Sequence, residues 1–100
     1  MSNLERYLTI RILYPKPEHL DDVLSAVKRI SDKARQYDEL IEIGAWLDKD
    51  RERVVNVTLW ETKERAAKAT KEMHPLFADI PWEAWERAPV ENYLTLQRVV

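Results

Sequence analysis

Leu8, Ile10, Ile12 and Tyr14 alternate with Thr9, Arg11 and Leu13 in the segment from Leu4 to Tyr14. This is the two-residue period of a strand with one apolar and one mixed face. Pro15 and Pro17 end it, and Pro17 suits the first turn of a helix. Leu20, Val23, Leu24, Val27, Ile30 and Ala34 then follow the three-and-four spacing of an amphipathic helix. Its outer face has Asp21 and Asp22 early and Lys28, Arg29 and Lys33 late, the order the helix dipole favours. Alternation returns from Leu40 to Leu47 and again from Val54 to Trp60, with the charged turn Asp48 to Arg53 between them. The pair reads as a β-hairpin with a loop longer than two residues. Thr62 suits the cap of a second helix with an inner face of Ala66, Ala69, Thr70 and Met73, interrupted at Pro75. Pro81 and Pro89 bracket a short aromatic helical turn, and Val90 to Val99 reads as a fourth strand.

The order βαββαβ predicts an α+β, ferredoxin-like antiparallel sheet with two helices on one face. The chain, residues 1–100, reads as a single domain of this kind. Its helix-covered face is expected to carry Leu8, Ile10, Ile12, Ile41, Ile43, Val55, Val57, Leu59, Leu94 and Leu96. The other face is expected to carry Thr9, Arg11, Leu13, Glu42, Trp46, Asn56, Thr58, Trp60, Tyr93, Thr95 and Gln97. That second set mixes large aromatics with hydrogen-bonding groups, as interfaces do. It predicts a homodimer formed through the sheet face.

Composition removes several alternatives. The absence of cysteine excludes a disulfide framework and a thiolate metal site, and fits a cytoplasmic location. Sixteen basic and eighteen acidic residues are interspersed, so no basic stripe marks a nucleic-acid surface. The N-terminus lacks the pattern of a signal peptide, and no apolar run reaches the ~20 residues of a membrane span. Gly44 is the sole glycine, which leaves no phosphate loop or dinucleotide fingerprint. His19 and His74 are far apart in sequence and show no metal-ligand spacing.

The strand-to-helix stretch VVNVTLWETKERAAKA, followed by KEMHPLF, resembles the antibiotic biosynthesis monooxygenase-like domains. Trp60, Glu64, His74, Pro75 and Phe77 fall where that family has a strand-terminal Trp, a polar step, a helix and a His-Pro-aromatic stretch. The resemblance implies a homodimeric α/β barrel with a small pocket between sheet and helices in each subunit. Some members oxidise quinols or polycyclic phenols with molecular oxygen and no bound metal or flavin; others degrade haem. The haem-degrading triad is not matched. YLTIRILY contains no Asn, the helix after Trp60 contains no second Trp, and Ile80 falls near the expected haem-ligating His.

The candidate site residues are His74 as catalytic base, with Trp60, Trp82, Trp85 and Arg11 binding substrate. A histidine has a pKa of ~6.5, suited to removing a phenolic proton; His74 is equally suited to bonding free helix carbonyls. Trp60 either walls a pocket or locks its strand to the interface. Trp82 and Trp85 share one side of a helical turn, as a pocket lid or a dimer plug. Arg11 either steadies a ligand oxyanion or pairs with Glu42.

Two functions follow. One is a cofactor-independent monooxygenase acting on a small aromatic or quinol-like compound. The other is a non-enzymatic dimeric α/β-barrel module binding a small apolar ligand. Neither calls for a cofactor, a metal, a nucleic acid or a membrane.

Overall fold

The computed structural model describes residues 6–100, except for the side chains of Leu94 and Thr95. Leu4, the expected start of the first strand, and those two side chains, expected on opposite sheet faces, lie outside the described residues. The chain runs β1 (Tyr7–Leu13), a short 3-10 turn (Pro17–His19), α1 (Leu20–Ala34), β2 (Leu40–Asp48), β3 (Arg53–Trp60), α2 (Lys63–Ala78), α3 (Trp82–Trp85) and β4 (Glu91–Gln97). The strands form one sheet in the order β2-β3-β1-β4, and every neighbouring pair is antiparallel. This is the α+β, ferredoxin-like arrangement expected from the sequence.

Local chemistry sets the element ends. The Thr62 hydroxyl accepts the Arg65 amide at 3.2 Å and satisfies one of the free donors at the start of α2. Pro75 does not interrupt α2, which runs on to Ala78. A proline removes one internal hydrogen bond, and packing of Met73 and Phe77 in the core offsets that loss. In the β2–β3 turn the Asp48 carboxylate accepts from the Arg51 amide and from the Arg53 guanidinium. Glu52 takes a positive φ of 50° there, completing the reversal.

The faces of β1 and β3 are the reverse of those expected. Residues directly opposed across an antiparallel pair share a face, and the register therefore assigns each row. Leu47, Val54 and Leu13 form one row; Ala45, Asn56, Arg11 and Asn92 form the next; Ile43, Thr58 and Thr9 a third; Leu40, Trp60 and Tyr7 a fourth. These rows lie under the helices, where Leu13 and Val54 are fully buried against Val23 and Val27 of α1. Trp60 is buried against Ala66 and Ala69 of α2, so it is a core residue rather than an interface anchor.

The side away from the helices carries Leu8, Ile10, Ile12, Val55, Val57, Leu59 and Leu96, together with Gly44, Trp46 and Tyr93. The expectation rested on the more apolar side of each strand packing against its own helices. The helices instead present small side chains, Ala26, Ala34, Ala66 and Ala69 among them. These can sit close to a face bearing Trp60 and leave room for polar groups between. In β2 a bulge between Leu40 and Glu42 shifts the register, so Leu40 and Ile43 both face the core while Ile41 is exposed. Glu42 consequently lies on the opposite face from Arg11, and the anticipated Arg11–Glu42 ion pair does not form within the subunit.

Candidate functional site

Where the polar rows of β1 and β3 meet the small-residue faces of α1 and α2, the packing leaves a cavity of about 50 Å³. That is room for a few water molecules rather than a ring system. Its floor is Thr9, Arg11, Asn56 and Thr58 from the sheet, with Asn92 from β4; its roof is Ile30, Thr70, Met73 and Phe77 from the helices; Trp60 closes one end.

Arg11 is the one charged group of this lining, and its setting is specific. Its guanidinium carbon lies 3.8 Å from the centroid of the Phe77 ring, a cation–π contact. Its Nε donates to Asn92 Oδ1 at 2.8 Å. Burial lowers its pKa to about 10, so it remains a cation at neutral pH. Among the described residues no carboxylate pairs with it. A desolvated cation without a counter-ion costs stability, and it is thereby prepared to receive an anion.

Asn56 lies beside it in the β3 row. It is 8% exposed, and its side-chain carbonyl oxygen is buried without a hydrogen-bond partner. An orphaned acceptor of this kind costs ~1–3 kcal/mol. It can take a hydrogen bond from a ligand hydroxyl. The threonine hydroxyls add further donors, although Thr70 already gives its proton to the Ala66 carbonyl at 2.8 Å. Among the described residues no histidine, aspartate or glutamate lines the cavity, so these residues supply cation, donor and acceptor but no general base.

The structure brings together only part of the set predicted from sequence. Arg11 and Trp60 line the cavity. His74 is exposed on α2 and does not line it. Trp82 and Trp85 are half-buried and pack against both halves of the core instead. Trp82 reaches the site indirectly, donating its indole N–H to the Phe77 carbonyl at 3.1 Å. Asn56, Asn92 and Phe77 were missed as site residues. Asn56 was readable as a polar residue inside the apolar run VVNVTLW, four residues before Trp60 and on its face. Among the described residues no three His, Cys, Asp or Glu side chains gather where they could hold a metal, and no helix is long and apolar enough to cross a membrane.

No family profile and no curated protein matches the chain in sequence. Solved structures do match it in shape. Rv0793 from Mycobacterium tuberculosis superposes with a TM-score of 0.82 at 13% identity, over 95% of this chain and 96% of its own. PA3566 from Pseudomonas aeruginosa gives 0.79 at 14% identity over 100% of both chains. A protein named antibiotic biosynthesis monooxygenase gives 0.76 at 18% identity, over 94% of this chain and 99% of its own. The fold is that of the antibiotic biosynthesis monooxygenase-like proteins. Within this monooxygenase-like fold the cavity lies between sheet and helices, where the sequence resemblance placed a pocket.

Proposed function

We propose that the chain is a cofactor-independent monooxygenase that binds a small phenolic or quinol-like compound as its anion in this cavity. The observation that carries the reading is the Arg11 guanidinium, held against Phe77 beside the orphaned Asn56 carbonyl, with no carboxylate partner among the described residues. A phenolate or enolate oxygen would complete Arg11, and a second hydroxyl of the same ligand would donate to Asn56. Electrostatic stabilisation of an anion in a low-dielectric site lowers the barrier to forming it. Once formed, such an anion is electron-rich enough to react with molecular oxygen. For an anthrone-like ligand the net change is a CH2 group and O2 going to a carbonyl and water. One oxygen atom enters the product, the other leaves as water, and the four electrons removed from carbon reduce O2.

A ring system exceeds the present cavity, so binding requires the roof to open; Phe77, which stacks on Arg11, is the group a planar ligand would displace. A second copy of the chain is the proposed occupant of the apolar sheet side. The row Trp46, Val55, Ile12 and the row Gly44, Val57, Ile10, Tyr93 are continuous across the sheet, and Trp46 is 57% exposed in the lone subunit.

That no acid–base residue lines the cavity among the described residues favours a second reading, a binding module without chemistry. Oxygen uptake with a panel of anthrones and dihydroxynaphthalenes, alongside anaerobic titration, separates the two. Turnover that is lost in Arg11→Met supports the monooxygenase. Arg11-dependent binding without oxygen uptake supports the module. Neither binding nor uptake removes both.

A further inference from the structure

We infer that the segment Trp82–Glu86 is a strap over the core whose release is triggered by ionisation of Glu86. This goes beyond the cavity's proposed chemistry and does not depend on it. The strap is tied to the chain leaving β1 by main-chain bonds on both sides of Glu86. The Lys16 amide donates to the Trp85 carbonyl at 2.8 Å, the Arg87 amide donates to the Tyr14 carbonyl at 2.9 Å, and Pro15 and Glu86 form an isolated β-bridge. Between these ties the Glu86 side chain is folded inward. The residue is 8% exposed, and neither carboxyl oxygen has a hydrogen-bond partner. Such a group is tolerated as the neutral acid and is costly as the anion.

The surroundings do not neutralise it. Arg87 pulls the carboxyl pKa down, but its guanidinium is held by the Arg51 and Glu52 carbonyls on the β2–β3 turn. The Tyr14 amide also pulls it down without reaching hydrogen-bond geometry, and burial, the larger effect, pushes it up. Lys16 and His19 on the segment packed against it make no ion pair with Glu86, and Glu83 on the strap is itself acidic and offers no counter-charge; His19 stacks on Trp85 and bonds Asp22. The sign is therefore fixed. A raised pKa means that the closed strap holds its proton more tightly than the open one, so closure is fully favoured below the ordinary glutamate range. It weakens as pH rises through the folded value.

Opening would uncover Leu13 and Val54, against which Trp82 and Trp85 pack. It would also break the Trp82–Phe77 bond at the cavity roof. The strap thus couples a carboxyl outside the cavity to Phe77 inside it.

Native-state hydrogen exchange of the Lys16 and Arg87 amides, corrected for intrinsic rates, tests this between pH 4 and 8. In the wild type the opening constant should rise about tenfold or more across that range, while amides in β1 and β3 change little. Glu86→Gln should remove the pH dependence and keep both amides protected throughout. A flat wild-type profile overturns the inference, as does an unchanged slope in Glu86→Gln. Should Glu86→Gln prove poorly folded, Glu86→Met, which also lacks an ionisable group, should show the same loss of pH dependence at the Lys16 and Arg87 amides. A slope that persists in Glu86→Met then counts against the strap.

Discussion

The indole of Trp46 lies across Gly44, two residues back on the same strand, so closely that a Cβ at position 44 would come within 2.9 Å of the ring. The sole glycine of the chain therefore lets a large aromatic lie flat on the uncovered side of the sheet. Gly44→Ala should leave the subunit folded, because the ring is the free end of an exposed side chain and can swing away. It should weaken self-association roughly tenfold, or about 1.4 kcal/mol. Sedimentation velocity across a concentration series measures this. Val57→Glu, in the middle of the same face, should give monomers at micromolar concentration; a dimer undisturbed by both changes would end the proposed pairing.

Asn56→Leu separates stability from binding. Replacing a buried carbonyl that has no partner with an apolar side chain of similar size should raise stability by ~1 kcal/mol. For a chain of this length that is ~4–8 °C in Tm. The same change should reduce affinity for a dihydroxynaphthalene more than tenfold. A clear fall in Tm would mean that the Asn56 side chain supports the fold rather than a ligand.

Affinity for an anionic ligand should hold from neutral pH to about pH 9 and fall as the Arg11 pKa of about 10 is passed. The pKa lies below the ordinary arginine range, so the unfolded chain binds this proton more tightly than the folded one. Arg11 therefore opposes folding below its folded pKa, and that penalty is relieved as pH rises towards the unfolded value. Arg11→Met should in consequence be neutral or stabilising in denaturant titrations while abolishing anion binding. Loss of stability in Arg11→Met comparable to the loss of binding would assign the guanidinium a structural role.

Thr62→Ala should cost ~1 kcal/mol, because the Arg65 amide loses its side-chain acceptor at the start of α2. Chemical denaturation is the measurement, and the proposed oxygen uptake by the folded protein should not change. Thr62→Ser should restore most of the loss, since the hydroxyl alone makes the cap.

The element order was legible because period-two and period-3.6 patterns are local, and the prolines and the charged Asp48–Arg53 turn separate them. The orientation of β1 and β3 was not. Alternation shows that a strand has two unlike faces, but it does not say which one its own helices cover. Apolar content pointed to Leu8, Ile10 and Ile12, whereas the deciding feature was the small size of Ala66 and Ala69, which admits Trp60 beneath α2. The bulge at Ile41 was equally hidden, since the register shift falls between Leu40 and Glu42 rather than at Gly44, the residue of this strand best suited to a bulge. Of the site, Arg11 and Trp60 were readable by residue type. Asn56 gains its meaning only once its carbonyl is seen to lack a partner.

The proposed pairing through the outward-facing apolar rows would also link the durability of this chain to its abundance. With a twin subunit as occupant, mass action alone would raise the thermal midpoint as concentration increases. Dilution would leave the same rows wetted and adhesive. A cell making too little of the protein would thus hold a weaker and stickier version of it, with no change in sequence.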